Sequence, residues 1–456
     1  MKLQSIQALR GLAALLVVFF HIQSLELKGI ADNGLTEQAW IGGIFTNGYA
    51  GVDLFFVISG FIMAFVTRNT GTGPQPAADF LFARITRIYP LWWAFAAAMT
   101  IYMLAAHGLS GQSAGWNSAT HGAPFESYLL NSFLLIPQPA FPILNVGWTL
   151  VHEVYFYLVF TVFMVLPRRL LPGLLALWAA AILAATFLGY ANSYASDWLK
   201  LAVHPMTIEF ILGALAGYAV TRGWVWRSGV LTLLAVLWLL AALSYQGPET
   251  TFTLGWGRVL WYGLPSALLI YGIGGIDTQR RHAWLVPALA GILTTVALFQ
   301  MTGVDGTSSD GTRRDATLLT VTVGGLAMLA VLWFGWLLGQ GAPDLLRRTQ
   351  PFFRRLLAMA VSLGDWSFSL YLCHLIVLSA LRHVFGRLGQ IELLAPVFRL
   401  GQEGLLDNVT FVIVGVTLSI VAARASYLYF EKPCTVLFGH MRQFMFRRDR
   451  AAAAAV

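Results

Sequence analysis

Residues 6–25 read IQALRGLAALLVVFFHIQSL, a helix-length apolar run with Arg10 near one end and His21 near the other. The ten residues between them are all apolar or glycine. Such a stretch can cross hydrocarbon, where an ionisable group is costly unless it lines a cavity or does chemistry. Eleven residues at about 100° each make three turns plus roughly 20°, so both side chains leave the helix in one direction, roughly 16 Å apart along the axis.

The rest of the chain has the same character. Of its 456 residues 57% are hydrophobic, 14% aromatic and 11% charged, and its mean hydropathy is +0.69. That is too apolar for a soluble globular domain. Comparable runs lie near 9–25, 50–67, 86–106, 145–166, 170–190, 206–221, 229–245, 258–275, 283–301, 316–339, 360–384 and 407–428. The expected fold class is therefore an all-α, polytopic transmembrane helical bundle of about ten to twelve spans. The first run is expected to be retained, because Arg10 sits at its edge and no small-residue cleavage site precedes the next loop.

A net charge of +8 invites a nucleic-acid reading, which the positions of the basic residues remove. With the N-terminus inside, Lys2, Arg10, Arg68, Arg84, Arg87, Arg168, Arg169, Arg222, Arg227 and the pairs at 280–281, 347–348 and 354–355 all fall on the cytoplasmic side. This is the positive-inside pattern, with both termini cytoplasmic. Nucleic acid is not an expected partner. Cys373 and Cys434 fall in a span and in the tail, and no Cys/His spacing has the form of a metal site. Residues 1–430 are expected to form one membrane domain, followed by a basic cytoplasmic tail, 431–456, whose RRDRAAAAAV end should fray. The run SYLLNSFLLIPQP, 127–139, is too short to cross and is expected to lie in the interface or to re-enter from outside.

Four further stretches carry ionisable groups at the spans. In RITRIYP, 84–90, Arg84 and Arg87 are three apart and share a helical face. Planar, permanently charged guanidinium forks suit a polyphosphate, and an ordinary positive-inside pair predicts the same residues. Arg10 would be a third member. In GWTLVHEVYFYLVF, 147–160, Glu153 lies about eight residues in from the outer end, roughly 12 Å deep, a depth close to that of His21. A carboxylate at that depth needs a partner, and an imidazole is a natural one; His152 faces about 100° away. In LGDWSFSLYLCHLIV, 363–377, Tyr371 and His374 share a face, again near the level of His21. In GVDLFFVISGFIM, 51–63, Ser59 and Gly60 are read as packing residues, while Asp53 is open between capping the helix and contacting substrate.

Together these stretches resemble the integral-membrane acyltransferase family 3, which O-acylates bacterial surface glycans and related acceptors. The family's Arg, ten residues, His pattern is met by Arg10 and His21; G-V-D-x-F-F-x-x-S-G-F runs from Gly51 to Phe61; R-x-x-R-x-Y-P is met by Arg84, Arg87, Tyr89 and Pro90. W-[ST]-L-x-x-E-x-x-F-Y is met by Trp148, Thr149, Leu150, Glu153, Phe156 and Tyr157. L-G-x-x-S-[YF]-x-x-Y-L-x-H spans Leu363 to His374, and E-x-P is Glu431 and Pro433. The form is that of exopolysaccharide-type members without a fused periplasmic esterase-like domain. One departure is a helical hairpin at about 283–340 that stands as an insertion ahead of the LGDWS stretch.

The resemblance implies a multi-pass enzyme of the bacterial cytoplasmic (inner) membrane. It would move an acyl group, most often acetyl, from cytoplasmic acyl-CoA to a hydroxyl of a glycan or lipid-linked saccharide on the outer side. Acyl-CoA is then a co-substrate and no permanently bound cofactor is expected; membrane lipid is the other partner. The expected roles are His21 and Glu153 as the catalytic pair, Arg10, Arg84 and Arg87 on the donor phosphates, and Asp53, Trp148, Tyr371 and His374 on the substrate side. The rival reading is a proton-coupled glycan or lipid transporter or flippase. Such a protein should show related halves, and the sequence shows no convincing repeat.

Overall fold

The computed structural model describes residues 3–35, 45–108, 116, 119–190, 194–244, 255–279, 355–401 and 405–453. Every regular element among them is helical. Helix α1 is Gln4–Asp32, α2 is Ala50–Val66 and α3 is Pro74–His107; the short α4, Phe125–Leu134, follows. Then come α5 (Trp148–Val165), α6 (Leu171–Phe187), the single-turn α7 (Trp198–Ala202), α8 (Thr207–Thr221) and α9 (Ser228–Ser244). A turn at Trp256–Arg258 and a π-helical turn at Val259–Gly263 lead into α10, Leu264–Gln279. The chain closes with α11 (Ser367–Leu388), α12 (Leu405–Ser426), a second π turn at Tyr427–Glu431, and α13 (Lys432–Ala453).

Eight helical stretches among the described residues are long and apolar enough to cross a bilayer. Helices α2 and α9, 17 residues each, are apolar and stand at the lower limit of spanning length. The protein is thus a multi-pass membrane helical bundle. The predicted spans at 283–301 and 316–339, and with them the expected hairpin at 283–340, lie outside the described residues.

Helix α2 is buried along nearly its whole length, because glycines let its neighbour approach to main-chain contact. A Cβ on Gly60 would overlap the Phe210 carbonyl of α8, and one on Gly213 would overlap the Val57 carbonyl of α2. Small residues at a helix crossing do this in lipid, where burial of apolar surface gives no net drive between helices. Beside the crossing the rings of Phe56, Phe210, Phe156 and Trp178 form a continuous stack, with centroids 4.3, 4.7 and 5.9 Å apart, which ties α2, α8, α5 and α6 together. Gly11 plays the same part for α1. A Cβ there would stand 2.9 Å from the Gly364 backbone nitrogen, so α1 crosses the helical stretch 355–365 and brings Arg10 beside the start of α11.

Two elements, α3 and the tail, differ from the sequence expectation, while the short α4 agrees with it. Helix α3 begins at Pro74, well before residue 86, so Arg84 and Arg87 are carried inside it. Pro90 is accommodated within that helix. Helix α4 has only ten residues and lies against α3, held by Tyr89 Oη donating to the Leu134 carbonyl (2.8 Å) and Trp92 Nε1 to that of Ser132 (3.1 Å). The tail is helical to Ala453 instead of frayed. It is pinned to α3 by Arg442, whose Nε and Nη2 grip the two carboxylate oxygens of Asp79 at 2.5 and 2.9 Å.

Candidate active site

Two cavities share Val52 and Tyr371 in their walls. The larger, about 750 Å³, is lined by Arg10 from α1, Ser59 from α2, Arg84 and Arg87 from α3, Glu153 and Tyr157 from α5, and Tyr371 from α11. None of the three arginines has a carboxylate oxygen within 4.0 Å among the described residues. Arg84 is half-buried with its guanidinium 5.5 Å from the Phe80 ring centroid, and Arg87 is exposed. Glu431, buried at the end of the second π turn, accepts from Ser369 Oγ at 2.6 Å and lies within electrostatic reach of Arg10 and Arg87. Three guanidiniums converging on one cavity is an anion-binding arrangement, and the forked geometry suits phosphate oxygens.

Glu153 belongs to this cavity and not to His21. It accepts from Ser59 Oγ at 2.8 Å and takes a short hydrogen bond from Tyr157, one turn further along α5. The expected His21–Glu153 dyad is therefore corrected. Counting residues from the two ends of the membrane gave a common depth but no azimuth, and the tertiary packing turns Glu153 toward α2 and α3. Ser59, read from the sequence as a packing residue, is one of its donors. Tyr157 was legible at the i, i+4 spacing, which sets its hydroxyl beside the carboxylate.

His21 lines the second cavity, about 490 Å³, together with Tyr49, Asn145, Trp148, Arg258 and Tyr371. Its ring partner is His374: Nε2 of His374 stands 3.2 Å from Nδ1 of His21. His21 Nδ1 also faces the Val17 carbonyl at 2.9 Å, and His374 Nδ1 faces the Leu370 carbonyl at 3.0 Å. A carbonyl only accepts, so Nδ1 of each ring carries a proton. This leaves Nε2 of His21 as the basic nitrogen and Nε2 of His374 as an acceptor behind it. His374 is fully buried. Its expected place on the substrate side is corrected: it stands behind His21 and supports that ring.

The other expected residues divide. Trp148 lines the His21 cavity. Tyr371 lines both cavities, as does Val52, and its hydroxyl is held by Thr149 Oγ1 at 2.8 Å and the Val146 carbonyl at 3.1 Å. Asp53 is corrected: it is wholly buried and both its oxygens are taken by Arg258, Nε at 3.1 Å and Nη2 at 2.5 Å. It neither caps α2 through its side chain nor lines either cavity. Arg258 and the fully buried Glu209 escaped the sequence reading, although a charged residue within an apolar run is itself the signal. His152, on a different face of α5 from Glu153, packs edge-on against His204 with ring centroids 4.5 Å apart.

The bundle thus sets a cationic cavity beside an imidazole pair. The chain belongs to acyltransferase family 3: the model of that family's acyltransferase domain matches residues 3–340. It is an enzyme that transfers acyl groups. The chain is 28% identical over 334 residues to the exopolysaccharide production protein ExoZ of Rhizobium meliloti (strain 1021), covering 71% of this chain and 95% of that protein. It is 27% identical over 307 residues to the acyltransferase MdmB of Streptomyces mycarofaciens, covering 63% and 74% respectively. No solved structure matches. The family match ends ahead of His374 and Glu431, so their part in the site rests on geometry.

Proposed function

We propose that this protein is an acyl-CoA-dependent O-acyltransferase of the bacterial inner membrane, acting on a hydroxyl of a glycan or lipid-linked saccharide at the outer side. The observation that carries the reading is the adjacency of the two cavities across Val52 and Tyr371, with three arginines lining one and His21, backed by His374, lining the other. Arg10, Arg84 and Arg87 hold the donor phosphates. An extended thiol arm of the donor then reaches past Tyr371 toward His21, along a helix on which Arg10 and His21 are separated by roughly 16 Å. The aromatic walls Phe20, Tyr49 and Trp148 suit an acceptor ring. ExoZ, named for exopolysaccharide production, lends weight to a glycan acceptor, and acetyl is the acyl group we favour.

In this reading His21 Nε2 removes the hydroxyl proton as the oxygen attacks the thioester carbonyl. The imidazolium so formed is held through Nδ1–H by the Val17 carbonyl and by His374, and it returns the proton to the departing thiolate. Glu153 acts elsewhere, supplying counter-charge so that three guanidiniums can share one cavity inside the bundle before the donor arrives. The reading is tested with purified protein in detergent, radiolabelled acetyl-CoA and saccharides from the host's surface polymers. Label transferred to saccharide is expected; donor that neither binds nor turns over sinks the reading.

The counter-charge role makes a separate prediction for Glu153→Gln. Gln keeps an acceptor for Ser59 and Tyr157 but removes the negative charge that a polyanionic donor must meet. Donor binding is expected to tighten, so the rise in melting temperature on adding CoA should exceed that of wild type. The acid limb of the pH–rate profile should not move, because Glu153 is not bonded to His21. Weaker donor binding together with a shifted acid limb would return Glu153 to the base.

A further inference from the structure

The His21 cavity has a second charged wall that the transfer mechanism leaves unused. Arg258 lies at the end of the Trp256–Arg258 turn, where the chain enters the π turn, and is 2% exposed. Asp53 holds its Nε and Nη2, the Tyr49 carbonyl takes a further bond from Nη2 at 3.1 Å, and the guanidinium stands 4.8 Å from the centroid of the Tyr49 ring. Glu209, fully buried on α8, lies within electrostatic reach of both Asp53 and Arg258. The plane of the cation is thus set by contacts from α2 and from the residue ahead of it, while the side chain remains part of the wall that His21 shares.

Acyl transfer through a base needs a positive group where the carbonyl oxygen gains charge. The other polar side chains on this wall beside the His21 base, Tyr49, Asn145 and Tyr371, are neutral. Tyr371 gives its proton to the Val146 carbonyl or to Thr149, and His374 accepts behind His21. His21 and Arg258 line the same cavity, so a thioester carbonyl brought to His21 meets a wall that includes Arg258. A pre-oriented cation in a water-poor interior stabilises a developing oxyanion without reorganising during the step.

We propose that Arg258, fixed by Asp53, is the oxyanion-stabilising residue of the transfer reaction, an inference that rests on the acyl-CoA reading. The acceptor oxygen forms a bond to the thioester carbon while its proton passes to His21 Nε2. The carbonyl π pair moves onto oxygen and is met by Arg258. The pair then returns, the C–S bond breaks, and the thiolate takes the proton from His21.

The test must separate chemistry from folding, because removing one member of a buried ion pair strands the other. The first variant is the paired Asp53→Leu/Arg258→Met, which replaces both charges with apolar side chains and is expected to fold. The second is Arg258→Lys, which keeps a charge for Asp53 but loses the fork. Folding is read by melting temperature, and donor binding by the shift CoA produces, since the arginine cavity is untouched. The expected result for the paired variant is a ~10²–10³-fold fall in kcat, with acceptor KM and CoA binding near wild type; Arg258→Lys should lose less, with the same split. Wild-type kcat in either folded variant, or a rise in acceptor KM with kcat intact, overturns the oxyanion role. Failure of wild type to bind or turn over acyl-CoA would strike the functional reading instead.

Discussion

Replacing His21 by alanine is expected to lower acyl transfer by ~10²–10⁴-fold, the range that a positioned general base contributes. Folding should change little. The ring is half-buried at the cavity wall, and its backbone bond is to Val17, on its own helix. His374→Ala should behave differently. That ring is fully buried, so truncation leaves a cavity and lowers the melting temperature, while turnover falls by less because His21 keeps its nitrogen and its Val17 bond. Measuring kcat and melting temperature for both variants separates the base from its support. A His21→Ala protein with wild-type turnover would remove the imidazole pair from the chemistry and leave the two cavities unexplained.

Alanine at Arg84 and Arg87 is the second large effect. Charge-assisted hydrogen bonds of this kind contribute about 1.5–3 kcal/mol each, so the double variant is expected to weaken acyl-CoA binding by ~10²-fold or more. In the proposed mechanism the donor phosphates lie far from the reacting carbonyl and are held equally in ground and transition states. Turnover at saturating donor should therefore stay near wild type, and the loss should appear in donor KM. A collapse of kcat at unchanged KM would mean that the arginines act on the chemical step or on the packing of α3. Neither arginine makes an ion pair within 4.0 Å among the described residues, and Arg10 stays in the cavity with Glu153, so expression should persist.

Much of this protein was legible in its sequence because membrane helices advertise themselves. Satisfying backbone hydrogen bonds in lipid requires helices, and hydropathy then marks the spans. The placing of Arg10 and His21 on one face follows from helical geometry alone. So does the convergence of Arg84 and Arg87 on a single side of α3. The motif stretches that resemble acyltransferase family 3 led to the family that the chain matches over residues 3–340.

What lay beyond the sequence is how side chains on different helices face one another around their axes. Glu153 and His21 share a depth, but depth is a coordinate along the membrane normal, and a hydrogen bond also needs the right rotation of two helices about their axes. That rotation is set by contacts such as Gly60 against Phe210 and Gly11 against Gly364, which no spacing within one helix encodes. Hence Glu153 meets Ser59 and Tyr157, His21 meets His374, and Asp53 is claimed by Arg258, a residue 205 positions away. Composition and period sufficed for the helical spans seen among the described residues. Only the packing of helix on helix decided which side chains met.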